Sequence, residues 1–137
     1  TSYQVWRELD PEEQEILNSW VQSGQLTVIK IDEDFVSELQ DRGFSKSLSI
    51  PDQSAWYLCE VQGGILLTSD GTLRKTAKRF NIKTHGLLWI FDQIVTHKIL
   101  PTAEAESKLN IIFEQNLYYR SNKGLYETFK KLLNKWQ

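Results

Sequence analysis

Three acidic residues in the first half of the chain stand where they could bind a divalent metal ion. Asp70 follows residues 65–68 (ILLT), a short apolar run typical of a buried β-strand. Asp52 stands at the start of the predicted helix that leads into this strand, and Glu8 precedes an earlier helix start. Carboxylate oxygens are the ligands that Mg²⁺ and Mn²⁺ prefer. The pattern therefore indicates metal-assisted hydrolysis of a phosphodiester.

Each of these carboxylates also has a purely structural explanation. Asp52 lies three residues after Ser49, the spacing of a helix cap, and Asp70 precedes Gly71 at another helix start. Glu8 can simply be a solvated residue. Converging carboxylates repel one another unless a cation lies between them, so their convergence would favour the metal.

The elements that must position these residues alternate between strands and helices. Strands are predicted at residues 26–31 (LTVIKI), 65–68 and 82–84. Helices are predicted at residues 11–23, 34–42, 50–62, 71–80, 87–98, 102–116 and 125–136. This alternation is typical of βαβ crossovers, and residues 65–68 should be buried on both faces. We expect an α/β fold in which a parallel sheet carries helices on both faces.

Apolar side chains at helical spacing predict which helix surfaces face the core. They are Ile16, Leu17, Trp20 and Val21; Ala55, Trp56 and Cys59; Leu73, Ala77 and Phe80; and Leu125, Phe129, Leu132, Leu133 and Trp136. Cys59 is the single cysteine, so an internal disulfide is excluded. Without a membrane-spanning stretch or a signal peptide in this sequence, we expect a cytoplasmic protein with no membrane partner.

Charge is divided unevenly along the chain. Residues 1–70 contain four basic and thirteen acidic side chains, whereas residues 71–137 contain twelve basic and five acidic ones. Basic residues on the polar side of the helix after Asp70 could contact phosphates: Arg74, Lys75, Lys78 and Arg79. We take Arg74 and Lys75 as candidate residues for binding the phosphates of a nucleic acid such as RNA. The alternative is an ordinary solvated helix face.

Several segments resemble the PIN-domain nucleases, a family that includes toxin ribonucleases of bacterial and archaeal toxin–antitoxin pairs. They are residues 48–52 (LSIPD), 65–75 (ILLTSDGTLRK) and 84–90 (THGLLWI), preceded by Glu8-Leu9. The resemblance implies a Mg²⁺- or Mn²⁺-dependent endoribonuclease with an RNA substrate and an antitoxin partner, and it leaves a homodimer open. It also implies site residues: Glu8, Asp52 and Asp70 as catalytic metal ligands, with Ser49 and Ser69 as their neighbours.

The chain departs from the family at its beginning. PIN domains start with a hydrophobic strand that ends in an Asp, and no such segment precedes Thr1; the sequence also contains no Met. We therefore expect residues 1–137 to form a single PIN-like domain that is incomplete at its N-terminus. An apolar strand should then fill the gap in the sheet.

Two further readings stay open. The first is a catalytically silent PIN-like domain that binds RNA or a partner protein. The second is a phosphoacceptor domain, in which Asp70 accepts the phosphoryl group beside the acidic run at residues 31–34 (IDED).

Overall fold

The computed structural model describes residues 1–32 and 34–137, which fall into two compact units, Thr1–Thr84 and His85–Gln137. Most of the described chain is helical. The first unit contains α1 (Tyr3–Trp6), α2 (Pro11–Gln22), α3 (Phe35–Asp41), α4 (Ile50–Gln62), β1 (Leu66–Leu67) and α5 (Gly71–Arg79). Strand β2 (Thr84–His85) follows. Glu33, a member of the acidic run at residues 31–34, lies outside the described residues.

Helix starts in the first unit follow the predicted capping signals. At α2, an Asp10 carboxylate oxygen accepts a hydrogen bond from the Glu13 N–H (2.9 Å), and Glu13 accepts one from the Asp10 N–H (3.0 Å). At α4, the Ser49 hydroxyl accepts a hydrogen bond from the Asp52 N–H (3.2 Å). These bonds satisfy backbone donors that a helix leaves unpaired in its first turn. The two predicted starts are confirmed.

The prediction of a strand at residues 26–31 is wrong. The Leu26 N–H bonds back to the Trp20 carbonyl (3.0 Å), and Ile29 makes a single parallel bridge with Ser2. In that bridge the Tyr3 N–H donates to the Ile29 carbonyl (2.8 Å). The β-branched composition of this segment favours extended backbone, but a strand also requires a continuous partner. Its only described partner is the short N-terminal segment beside Ile29.

A small parallel sheet pairs β1 with β2. β1 lies within the predicted strand at residues 65–68, and β2 overlaps the predicted strand at residues 82–84 at Thr84, so both strands are confirmed. The Leu66 N–H donates to the Lys83 carbonyl (2.9 Å). Leu66 is buried, whereas Ile65 and Leu67 are 47% and 53% exposed. The expectation of burial on both faces is therefore wrong, and a sheet with helices on both faces is not formed by the described residues. In a two-stranded sheet, each strand keeps one unpaired edge.

The core of the first unit lies between α3, α4, α5 and β1. Its buried apolar residues are Phe35, Leu39, Phe44, Leu48, Trp56, Cys59, Leu66, Leu73 and Ala77. The predicted core faces of α4 and α5 are thus confirmed at Trp56, Cys59, Leu73 and Ala77. On α2, however, Ile16 and Trp20 are 71% and 55% exposed. Helical spacing predicts which side chains share a face, but another element must pack on that face to bury them.

A Schellman motif ends α5. Asn81 adopts a left-handed backbone (φ 59°), its N–H donates to the Lys78 carbonyl (3.2 Å), and the Ile82 N–H donates to the Ala77 carbonyl (3.0 Å). These bonds fix the turn between α5 and β2.

We expect Asn81→Ala to lower the free energy of unfolding by about 1 kcal/mol, because a Cβ-bearing residue without a polar side chain disfavours left-handed backbone. Asn81→Gly should be at least as stable as the wild-type chain, since glycine adopts this conformation readily. Urea denaturation measures both changes. Asn18→Ala, at an exposed position on α2, is the matched control and should not be destabilising. Equal stability of the two Asn81 variants would contradict this account.

The second unit contains α6 (Leu87–Thr96), α7 (Thr102–Gln115), α8 (Leu117–Ser121) and α9 (Lys123–Trp136). This confirms the three predicted C-terminal helices and adds α8. Their core consists of Phe91, Ala105, Leu109, Phe113, Phe129 and Leu132. Asp92 on α6 accepts hydrogen bonds from Lys135 Nζ (2.7 and 2.8 Å) and Trp136 Nε1 (3.1 Å) on α9. The hydrogen bond from Lys135 is the main cause that lowers the pKa of Asp92.

Candidate functional site

A groove of about 640 Å³ in the first unit contains part of the predicted site. Its walls come from the N-terminal residues and α1, the segment around Ile29, α4, and β1. Apolar side chains that line it include Val5, Leu58, Ile65 and Leu67. The unpaired edge of β1 and the N-terminal segment thus border one cavity.

Two of the three predicted carboxylates, Glu8 and Asp52, line this groove. Glu8 is exposed and follows α1, where its N–H donates to the Val5 carbonyl (3.0 Å). Asp52 is half-buried in the first turn of α4, and its Oδ2 accepts a hydrogen bond from the Ser49 hydroxyl (2.8 Å). Ser49 therefore caps the helix and orients the Asp52 carboxylate at the same time. Ser49 is the cap, but the capping box proposed for Asp52 is not formed, because the Asp52 carboxylate accepts from the Ser49 hydroxyl and not from its backbone N–H. Oδ1 of Asp52 is not used in this hydrogen bond.

Asp70 lies three residues beyond β1 and is exposed. Its Oδ1 accepts a hydrogen bond from the Leu73 N–H (2.6 Å), so its capping role is also confirmed. Its own N–H donates to Thr68 Oγ1 (3.0 Å), and Thr68 lines the groove. Asp70 itself is absent from the lining of the groove. Ser69, the predicted neighbour of Asp70, stands between Thr68 and Asp70 in the chain and is half-buried.

Carboxylate oxygens are ligands that Mg²⁺ prefers, but the described residues do not form a complete set of ligands for it. Within residues 1–32 and 34–137, no three His, Cys, Asp or Glu side chains are grouped closely enough to hold a metal. Mg²⁺ is often bound by one or two carboxylates, with waters and substrate phosphates as the other ligands. Glu8 and Asp52 are the two carboxylates that line the groove. The joint role of Glu8, Asp52 and Asp70 stays a prediction.

The acidic residues named in the phosphoacceptor reading lie elsewhere. Asp32 and Asp34 line a second cavity, of about 390 Å³, together with Glu38 and Tyr57. Asp70 does not line that cavity. This arrangement does not favour a phosphoacceptor site at Asp70.

A third cavity, here named the basic cleft, has a volume of about 410 Å³ and is lined by Arg74, Lys75, Lys78, Asn81, Ile82, Lys83 and Thr84. It contains both predicted RNA-binding residues, Arg74 and Lys75. Arg79 is not part of it, and its guanidinium lies over the Phe80 ring at 5.9 Å. Lys83 was missed in the sequence. The signal that could have found it is Asn81, a helix-ending residue two positions before Lys83.

Cys59 is buried in the core, as predicted, and also lines the groove. Burial is the main cause that raises the pKa of its thiol, so Cys59 is a poor nucleophile at neutral pH.

Comparison with known proteins places these features in a wider setting. A family model described as a PIN domain (DUF3368) matches residues 1–135, which is nearly the whole chain. Neither a curated protein nor a solved structure shows a significant match. In the described part of the chain, no helix has the length and apolar character needed to cross a membrane.

Proposed function

The chain belongs to the PIN-domain family, and we propose that it is a metal-dependent nuclease that hydrolyses phosphodiester bonds of RNA. The observation that carries the proposal is that Glu8 and Asp52 both line the same groove. Asp70 lies close in sequence to Thr68, which lines the same groove. A family match alone suggests a nuclease, and the carboxylates supply residues suited to metal-assisted hydrolysis.

In this proposal, Glu8, Asp52 and Asp70 would hold Mg²⁺ or Mn²⁺. When bound, the ion supplies positive charge for a phosphate oxygen and a more acidic water molecule. Ser49 fixes the Asp52 carboxylate through its hydroxyl (2.8 Å). The hydrogen bond between Asp70 and the Leu73 N–H holds Asp70 at the start of α5. Both bonds orient the carboxylates before any ligand arrives, which reduces the cost of ordering them.

We further propose that the protein acts in the cytoplasm as the toxin of a toxin–antitoxin pair, regulated by an antitoxin protein. The resemblance of residues 48–52, 65–75 and 84–90 to toxin ribonucleases supports this role. Self-association as a homodimer is also part of the proposal.

A second candidate function is RNA or protein binding by a catalytically silent PIN domain. It is favoured by the lack of a group of three metal-ligating side chains among the described residues.

Cleavage of a single-stranded RNA by the full chain should require Mg²⁺ or Mn²⁺. We expect a chelator to lower the rate by at least about 100-fold, because the ion contributes several kcal/mol of charge stabilisation. Gel analysis of labelled RNA measures the rate, and excess Mg²⁺ should restore it. Asp52→Asn protein, purified in the same way, controls for contaminating nuclease. Full cleavage in the chelator refutes the mechanism, and RNA binding without cleavage under either condition supports the silent alternative.

A further inference from the structure

We propose that the basic cleft binds successive phosphates of one RNA strand beside the candidate metal site, through four cations: Arg74, Lys75, Lys78 and Lys83. This inference rests on the proposed function for one point, namely that the bound nucleic acid is RNA. It adds Lys78 and Lys83 to the predicted contacts and gives the strand a path along α5.

The charge of the cleft points to an anionic ligand. No carboxylate lines it, and none of its four cations forms an ion pair with any residue that the structure describes. Other cations of the chain do pair, such as Arg42 with Glu60 (2.7 Å) and Lys135 with Asp92 (2.7 Å). Like charges that line one concave surface repel one another and concentrate anions there. Phosphate groups would remove that repulsion.

The spacing of the cations on α5 suits a chain of phosphates. Arg74 and Lys78 are four residues apart, so they lie on one face of the helix, separated by about 6 Å along its axis. The helix begins after Asp70, and the Arg74 N–H donates to the Asp70 carbonyl (3.0 Å). The row of cations therefore leads away from Asp70. A strand with one phosphate near Asp70 would pass Arg74 first and Lys78 next.

The opposite side of the cleft is held in place by the backbone. The Schellman motif at Asn81 reverses the chain after α5. Lys83 then comes directly before β2, where its carbonyl accepts a hydrogen bond from the Leu66 N–H (2.9 Å) while its side chain stays exposed. Because both ends of this turn are fixed, Lys83 faces the same cleft as Lys78 without further folding. Such preorganisation lowers the entropy cost of binding.

The size and lining of the cleft favour backbone recognition over base recognition. A volume of about 410 Å³ is in the range of small-ligand sites and suits a short stretch of single strand rather than a duplex. No aromatic side chain lines the cleft, so bases have no ring to stack on. Contacts between cations and phosphates carry no sequence information. We therefore expect binding at the cleft to be independent of RNA sequence and strongly dependent on salt.

The test compares two double variants of the full chain that remove equal charge. Lys78→Gln/Lys83→Gln removes two cations of the cleft, and Lys123→Gln/Lys131→Gln removes two exposed lysines of α9. Fluorescence anisotropy with a labelled single-stranded RNA is measured in a chelator, so that binding is separated from cleavage. We expect the cleft variant to raise Kd about tenfold and to reduce the slope of log K against log salt by about 1.4. The control should match the wild-type chain.

The cleft variant should lose the same factor of affinity for a uridine homopolymer and for an adenosine homopolymer. Lys78→Arg/Lys83→Arg should bind RNA as the wild-type chain does. Unchanged RNA affinity in a folded cleft variant overturns the proposal. So does an equal loss of affinity for polyglutamate, which would assign the cleft to an acidic protein segment. Loss of binding in the cleft variant supports the cleft even if the wild-type chain never cuts RNA. If the cleft variant keeps both its RNA affinity and its cleavage rate, the cleft has no role in RNA binding, and the nuclease proposal still stands.

Discussion

Replacement of Asp70 by Asn should lower the rate of RNA cleavage by at least about 100-fold without unfolding the protein. In the structure, Asp70 Oδ1 accepts the Leu73 N–H at 2.6 Å and so caps α5. Asn keeps an oxygen at this position and caps helices about as well as Asp. The substitution therefore removes negative charge at the proposed metal site and little else. Loss of a charged ligand should cost several kcal/mol of transition-state stabilisation, and each 1.36 kcal/mol is a tenfold change in rate.

The chain offers a matched control in Asp10→Asn. Asp10 caps α2 in the same way, with Oδ1 accepting the Glu13 N–H at 2.9 Å, and it does not line the groove. Activity of this variant should equal that of the wild-type chain, while thermal denaturation of the two variants should change by similar small amounts. If Asp70→Asn retains most of its activity, or if Asp10→Asn loses as much, then Asp70 has a capping role alone.

Replacement of Trp56 by Ala should lower the free energy of unfolding of the first unit by about 3–5 kcal/mol. Trp56 is fully buried, and its ring lies 4.7 Å from Phe44 and 5.0 Å from Phe80 between ring centroids. The Arg42 guanidinium also lies over it, at 5.4 Å. Truncation at this position removes the largest side chain of the core and leaves a cavity that its aromatic neighbours can fill only in part. Urea denaturation followed by circular dichroism measures the loss.

Two further variants separate packing from polarity at this position. Trp56 Nε1 is buried and has no hydrogen-bond partner among the described residues. Trp56→Phe removes this unsatisfied donor as well as part of the ring, so its net cost should stay below about 1.5 kcal/mol. Trp20→Ala, at a 55% exposed position on α2, controls for loss of a tryptophan and should cost under about 0.5 kcal/mol. Equal losses at Trp20 and Trp56 would show that the described core is wrong.

Local hydrogen bonds explain what could be read from the sequence alone. The starts of α2 and α4 were predicted because Asp10 and Ser49 bond to backbone groups three residues away. The end of α5 at Asn81 depends on bonds that reach back three and five residues. Membership of the PIN-domain family could also be predicted from the sequence, because a family resemblance depends on residue types and their order and not on how the elements pack. Short-range contacts of this kind are encoded within a few neighbouring residues.

Contacts between distant segments were decided by the tertiary structure. Residues 26–31 have a composition suited to a strand, yet Ile29 pairs only with Ser2, because pairing depends on which segment lies alongside. Ile16 and Trp20 share a helical face as predicted, but they are exposed because burial requires another element to cover that face.

The candidate site follows the same division. Sequence spacing marked Glu8, Asp52 and Asp70 as carboxylates suited to a metal. The bond from the Ser49 hydroxyl to Asp52 and the capping bond of Asp70 both span three residues, so they are local. That Glu8 and Asp52 line one groove depends on how α1, α4 and β1 pack together. Lys83 joins Arg74 and Lys78 in the basic cleft because the chain reverses at Asn81 and pairs with Leu66. Side chains far apart in sequence meet only after loop closure and packing bring their elements together, and no local pattern records that outcome.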